Sequence, residues 1–572
     1  RWAVVVSSPP CSVAYRVLGR TGSFSRIVFR IASKPEASSS FASNGVGSGR
    51  RRLVHGDEFL GRRRVQRHGG VAHRHRVGHA VRGGGGFFVY HDAVSGQPAT
   101  IDGREKAPAA TREDRFLQPN GQVMPFRTAF LGGHSVGVPG NIALAAKAHA
   151  KWGKLNWAKL FQPAIDLAEK GYVVTPRLAG TIAQMAPLWG KMDATKAIYF
   201  QDGRPKAAGD VIRNPALAKT LRDLARKGPN AFYKGRIARE ISRAVTYAPE
   251  NPAPLTMADL AAYEAKERAP VCVTYRLYKL CGMGPPSSGA TTVFQILGML
   301  ERFDLKAMGQ DDPKAWHLIA EAMQLAYADR EKYLGDADFV SVPVSGLLDK
   351  NYIASRSALI SETTSLLRYE AGTPPGAQPR TAAISGEVHG TTHFVAVDGA
   401  GNVANMTSTI EGPFGSQLVA AGMALNNELT DFSLAPMKDG APVANRPQPG
   451  KRPVSSMSPT IVYDQSGKPI FAVGAAGGKR IIMQVTKTLI AHLDWGLTAQ
   501  DALAAPNIYF NNDALLVESG TPLAARADDL AKFGRAVQVN PIMPSKANAA
   551  QRTAQGWVGA ADPRSDGVGL QE

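Results

Sequence analysis

Gly390-Thr391-Thr392-His393-Phe394 leads into a run carrying Val395, Val397, Asn402, Val403 and Met406 at strand-like spacing, and its reading decides the fold. A threonine at a strand start with a glycine before it has two readings. One is a strand start and nothing more, since threonine is enriched in strands. The other is a self-cleaving nucleophile: the Thr391 hydroxyl attacks the Gly390 carbonyl, and the amine released serves as base in later turnovers. β-Branching leaves Thr391 few χ1 wells, so its hydroxyl is aimed before any substrate arrives. Glycine at 390 removes side-chain hindrance and lets the peptide bend toward the attacking oxygen. The rest of the chain chooses between the two.

Downstream, Asp398-Gly399-Ala400-Gly401-Asn402 reads as a hairpin turn. A second strand pair follows at 460–464 and 469–473 about Gln465-Ser466-Gly467, then helices at 481–493 and 499–504. Upstream, 361–388 loses periodicity and gathers Gly, Pro, Ser and Thr, which predicts an exposed linker just before the cleavage point. Helices are predicted at 291–303 and 313–333, the latter with Ile319, Met323, Leu325 and Ala326 on one side and charges on the other. The stretch 139–224 is helical in character, 257–263 is a short helix, and 87–90 and 99–102 are strands about a turn. Strands flanked by helices on both sides give an α/β class and an αββα four-layer sandwich, stacked antiparallel sheets covered by helices.

At 572 residues and 44% hydrophobic composition, the chain can bury a large core, and no apolar stretch approaches the roughly 18 residues needed to span a bilayer. The net charge of +20 is uneven: between Arg1 and Gly86, fifteen Arg and one Lys stand against three acids, leaving +7 for the rest. That segment holds Arg50-Arg51-Arg52, Arg62-Arg63-Arg64 and His73-Arg74-His75-Arg76, a pattern for contact with nucleic acid or an anionic surface. It has no helical or strand period and little aromatic interleaving, so residues 1–82 are expected to be a disordered or non-native leader, with no nucleic-acid partner. Three Cys exclude a disulfide scaffold. Cys272 and Cys281 flank a strand and stand either as a pair or as two buried thiols. No Cys/His spacing matches a metal site.

Seven motifs in one order resemble the γ-glutamyltranspeptidases, N-terminal-nucleophile hydrolases that include glutathione hydrolases and cephalosporin acylases. They are 104–108 (REKAP), 137–140 (GVPG), 285–289 (PPSSG), 391–393 (TTH), 426–433 (NNELTDFS), 455–460 (SSMSPT) and Gly477-Gly478. The resemblance implies cleavage at Gly390-Thr391 into a large subunit, 83–390, and a small catalytic subunit, 391–572. It implies Thr391 as nucleophile with Thr409 hydrogen-bonded to it, and Gly477 and Gly478 as an oxyanion hole, in which backbone N–H groups face the developing charge. It also implies Arg104, Ser455 and Ser456 on the substrate α-carboxylate, and Glu428 and Asp431 near the α-amino group. Neither metal nor organic cofactor is implied; the substrates implied are γ-glutamyl amides such as glutathione, with water or amino acids as acceptors, and the compartment is periplasmic or extracellular.

Three departures from the family pattern bear on substrate and integrity. Glu411 stands where an amide Asn is usual, so an ammonium would meet up to three carboxylates. The region 433–451 lacks the lid aromatic of typical bacterial members, favouring an open pocket and hydrolysis over transfer. The leader shows neither a secretion signal nor the helix that precedes the Gly-rich turn, and the match begins abruptly at Gly83-Gly84-Gly85-Gly86-Phe87, as a truncated or frame-shifted reading would. The rival readings are a cephalosporin (glutaryl) acylase of the same family and an unprocessed binding protein.

Overall fold

Two antiparallel sheets stack face to face, each with helices on its outer side, in a computed structural model that describes residues 3–7, 83–366, 368–382, 390–511, 514–540 and 545–571. In chain order the strands are β1 (Ala3–Ser7), β2 (Gly85–Asp92), β3 (Gln97–Gly103), β4 (Lys266–Arg268), β5 (Val271–Tyr275), β6 (Tyr278–Gly282), β7 (Thr392–Val397), β8 (Val403–Thr409), β9 (Thr460–Tyr463), β10 (Pro469–Ala476), β11 (Lys546–Thr553), β12 (Gly556–Ala561) and β13 (Val568–Gln571). The first sheet runs β13-β1-β7-β8-β2-β3-β4 and the second β12-β11-β10-β9-β6-β5. Helices α1 (Asn141–Trp152), α2 (Pro215–Lys227) and α3 (Arg236–Thr246) belong to the layer over the first sheet; α4 (Gly289–Leu300), α5 (Pro313–Tyr333) and α6 (Arg480–Leu493) cover the second.

The alternation of side chains along each strand builds the layers. In β2, Phe87 and Val89 point inward to a cluster with Val395, Val397 and Val403 of their own sheet and Val462, Phe471 and Val473 of the other. Phe88 turns outward with Ile101 and Met406 to meet Ile142, Leu221 and Ile237 of the helices. The four-layer sandwich expected from the sequence is the architecture found.

Polar side chains between the sheets fix how they sit. Buried Asn405 on β8 donates from Nδ2 to the Thr460 carbonyl at 2.9 Å and the Val473 carbonyl at 3.2 Å, both on the opposite sheet. Asn548 on β11 returns a bond to the His393 carbonyl at 2.9 Å. The His393 ring lies between the sheets, with Nδ1 2.8 Å from the Thr407 hydroxyl, and burial lowers its pKa to about 3, so the ring is neutral. A Cβ on Gly474 would fall 2.1 Å from that ring, so only glycine admits it. The head of β7 is thereby held against the end of β10.

Several expectations need correction. The charges of α5 do not form a solvated face: Glu321, Asp329 and Arg330 are all buried, paired with Arg535, Gln295 and Ser456 respectively. The predicted linker at 361–388 is strapped down over its described part. Leu366 N donates to Glu321 at 3.0 Å, Tyr369 Oη to Glu321 at 2.6 Å and Gly372 N to Asp329 at 2.8 Å. Residues 383–389 lie outside the described residues. The leader was read as lacking strand character, yet Ala3–Ser7 pairs with β7 on one side and β13 on the other. The remainder of the leader, 8–82, is outside the described residues. Cys272 and Cys281 face each other across β5 and β6 and form a disulfide, which removes the free-thiol alternative. The stretch 139–224, read as helical in character, is a succession of short helices and turns, and the helix predicted at 291–303 begins two residues earlier and ends at Leu300.

Replacing Asn405 with Ala strips both inter-sheet bonds and orphans two buried carbonyl contacts, so unfolding in denaturant should show a loss of about 2–3 kcal/mol with an unchanged slope.

Candidate active site

The Gly390-Thr391 peptide stands immediately before β7, whose first residue is Thr392. Backbone crowding dictates glycine at 390: a Cβ there would lie 1.6 Å from the Glu411 carbonyl oxygen. Thr391 is buried, and its hydroxyl is 3.5 Å from that of Thr409, the last residue of β8. Thr409 Oγ1 in turn accepts the Glu411 amide at 2.7 Å. The antiparallel register of β7 and β8, with Thr392 opposite Ser408, is what brings 391 and 409 together from eighteen residues apart.

Glu411 has φ 73°, a left-handed backbone rarely taken by a residue with a side chain, and such strain clusters at functional sites. Asn427 braces it, accepting the Gly412 amide at 2.8 Å while its own amide donates to the Ile410 carbonyl at 3.2 Å. The outcome is a cluster of three buried carboxylates, Glu411, Glu428 and Asp431, with an oxygen of each within 4.8 Å of the others. The latter two sit on the 3-10 turn Glu428–Asp431. The sequence expectation that an ammonium would meet up to three carboxylates has a geometric counterpart here.

Arg104, just past β3, reaches this cluster. Its Nη1 donates to Glu428 at 2.8 Å, its Nη2 to Asp431, and Nε and Nη2 to the Pro453 and Val454 carbonyls at 3.2 and 3.0 Å. The fork expected to hold a substrate carboxylate therefore also spans two of the protein's own acids. Burial opposes its charge, but Glu428, Asp431 and Glu105 outweigh that and raise its pKa, keeping it cationic. Through Pro453 and Val454, Arg104 is fixed beside Ser455 and Ser456. Ser455 is in a bridge with Ser287 and accepts the Met457 amide at 3.3 Å, and Ser456 Oγ accepts from Arg330 Nη2 at 2.8 Å.

Gly477 and Gly478 form the turn between β10 and α6, with φ of 140° and 61°. Both lie in the region that favours glycine, and a Cβ on Gly477 would also press to 3.1 Å from Gln484 Nε2. Because Gly474 touches the His393 ring, this turn ends at the same edge of the sandwich as Thr391.

Two participants escaped the sequence reading. Arg330 on α5 donates to Ser288 Oγ at 2.9 Å as well as to Ser456, and pairs with Glu331 at 2.9 Å; Glu331 pairs with Lys479 at 2.7 Å, beside the glycine turn. Its signal, an Arg amid an apolar helix, was masked by neighbouring charges. Glu105 is fully buried 3.6 Å from Arg104, and among the described residues neither of its carboxylate oxygens meets a hydrogen-bond donor within bonding geometry. Burial first, and Glu428 next, push its pKa well above the usual carboxylate range. The segment 433–451 holds an exposed hairpin, Met437–Lys438 with Ala441–Pro442, anchored by Asn445, which donates to the Asp431 carbonyl at 2.7 Å.

Residues 71–571 match the family model described as "Gamma-glutamyltranspeptidase", a match that starts earlier than Gly83. The "Glutathione hydrolase proenzyme" of Bacillus subtilis (strain 168) is 38% identical over 453 residues, 77% of this chain and 75% of that protein. The "Acylase ACY 1 proenzyme" of Pseudomonas sp. (strain SE83) is 32% identical over 493 residues, 85% of this chain and 84% of the other. Among solved structures, the cephalosporin acylase from Bacillus halodurans superposes with a TM-score of 0.74 at 26% identity, covering 86% of this chain and 87% of that one.

Glu105 supplies a pH test. A carboxyl whose folded pKa is raised contributes its stability below its ordinary value of 4.5 and loses it as pH climbs toward the folded value. The Glu105→Gln protein, permanently neutral there, should therefore gain melting temperature over the parent as pH rises from 4.5 to 8. A parent that is the more stable at pH 8 would mean that the Glu105 anion is welcome beside Arg104.

Proposed function

Because this chain belongs to the γ-glutamyltranspeptidase family and is an enzyme of hydrolase and transferase type, we propose that it cuts itself before Thr391 and then hydrolyses or transfers γ-glutamyl groups through that residue. The observation carrying the reading is the Gly390-Thr391 peptide itself, in a place where only glycine fits and with the Thr409 hydroxyl beside the attacking one.

In maturation, Thr391 Oγ adds to the Gly390 carbonyl, the C–N bond breaks to free the Thr391 amine, and water opens the resulting ester, restoring the Thr391 hydroxyl and leaving the Gly390 carboxylate. In turnover, that amine takes the hydroxyl proton as Oγ attacks the γ-glutamyl carbonyl and passes it to the departing amine. N–H groups of the Gly477-Gly478 turn stabilise the tetrahedral oxyanion, a role worth about 3 kcal/mol per donor. Water or an amino-acid amine then takes the acyl group from Thr391. The exposed 437–442 hairpin, without an aromatic, leaves the pocket open to water and favours hydrolysis. Large and small subunits, 83–390 and 391–572, remain together as one sandwich, and the disulfide supports an oxidising, exported location.

The three carboxylates support a substrate head group with an α-ammonium, and Arg104, Ser455 and Ser456 one with an α-carboxylate, which together describe a γ-glutamyl amide such as glutathione. A glutaryl acylase is the second reading, favoured by the likeness to acylases. A glutaryl group has no ammonium to set against Glu411, Glu428 and Asp431.

Mature protein should contain a polypeptide beginning Thr-Thr-His-Phe, whereas Thr391→Ala should run as one full-length band without turnover; a Thr391→Ala protein that still splits at 390 defeats the proposal. Turnover of γ-glutamyl-p-nitroanilide should exceed that of glutaryl-p-nitroanilide by about a hundredfold in kcat/KM, the cost of leaving buried charge unmet. Preference for the glutaryl compound selects the acylase reading.

A further inference from the structure

A cleft of about 660 Å3, lined by none of the residues assigned to the Thr391 site, is bounded among others by Ala110, Arg115, Leu117, Met124, His134 and Pro254. Arg115 is 9% exposed, as Arg535 is, and so counts among the buried arginines. Each of the other buried arginines among the described residues has a carboxylate: Arg104 with Glu428, Arg330 with Glu331, Arg356 with Asp329, Arg452 with Asp102 and Arg535 with Glu321. Among the described residues Arg115 has only backbone oxygens, Nε donating to His134 O at 2.6 Å and Nη2 to Gly133 O at 3.4 Å. Its neighbour Asp114 is engaged by Arg112 at 2.9 and 2.8 Å. Burial alone, with no compensating anion, draws the Arg115 pKa to about 10, so the charge persists at neutral pH. A buried charge without a counter-charge is costly, and natural sites keep one where an anion is to be received.

His134 is the second element. Burial first, and Arg115 next, lower its pKa to about 4, so its ring is neutral, and the buried Nδ1 has no hydrogen-bond partner among the described residues. As a neutral imidazole it can offer one N–H. Leu117, Met124 and Pro254 add apolar wall around these two polar groups, the usual composition of a small-ligand site. Phe116, between Arg115 and Leu117, packs on Leu429 and Phe432, so the cleft shares a wall with the turn bearing Glu428 and Asp431 without being part of that site.

We infer that this cleft binds a small organic carboxylate with a short aliphatic body, its charge on Arg115 and His134 and its body against Leu117, Met124 and Pro254. The site is separate from the γ-glutamyl pocket and does not depend on the substrate assigned to that pocket.

The probe is butyrate, titrated calorimetrically into the full mature protein. Ala110 is exposed on the rim, so Ala110→Glu sets a carboxylate within reach of Arg115 without touching the core. Wild type should bind butyrate saturably at one equivalent, and Ala110→Glu should weaken binding at least about tenfold, or 1.4 kcal/mol, with unchanged turnover of γ-glutamyl-p-nitroanilide. Arg115→Gln should lose binding likewise; should that variant fail to fold, Ala110→Glu alone decides. Absence of saturable binding overturns the inference, as does equal binding by Ala110→Glu, which would place butyrate elsewhere, on Arg104 for example. Inorganic phosphate binding as tightly as butyrate overturns the carboxylate assignment.

Discussion

The buried guanidinium of Arg104 is the interaction on which the site depends. It leaves the end of β3, crosses to Glu428 and Asp431, and fastens to the Pro453 and Val454 carbonyls, so three segments far apart in sequence meet on one planar cation. Glu428 and Asp431 pair with it and Glu105 lies 3.6 Å away, so this one cation offsets part of the charge that the acids bring into the interior, while burial and Glu428 favour the protonated form of Glu105.

The sandwich serves that centre by holding the two strand ends that flank it. Alternating side chains of β7 and β8 bury Val395, Val397 and Val403 between the sheets, and the interspersed His393, Asn405 and Thr407 set the alignment of one sheet on the other. Apolar contact alone would let the layers slide by a fraction of a residue. Directional bonds from Asn405 and Asn548, and the vacancy at Gly474 that receives an imidazole, do not.

Local features were legible in the sequence: the alternation after Thr391, the hairpin at 398–402, the span of α5 and the glycine pair before α6 all depend on neighbours a few residues apart. Glu428 and Asp431 were readable through motif resemblance and Glu411 as a departure from it, whereas the strained backbone at 411 was not readable. What stayed hidden depends on distant partners. Glu321 looks like a solvated helix charge until Arg535 arrives from 214 residues away, and the 361–382 strap looks loose until Glu321 and Asp329 are seen receiving it. The Cys272-Cys281 pairing required the β5–β6 register, and Arg115 is unremarkable in sequence because what distinguishes it is the carboxylate it lacks.

The placement of β7 between β1 and β8 has a mechanical corollary. Chain ends ordinarily fray, since nothing on one side restrains them. Residues 393–397 are hydrogen-bonded along both flanks, to 3–7 on one and 403–407 on the other, so severing the backbone ahead of Thr391 removes a tether that the ladder has already made redundant. A newborn terminus here would stay where the intact loop had put it, and the reacting groups would inherit their positions from neighbouring strands instead of from covalent continuity.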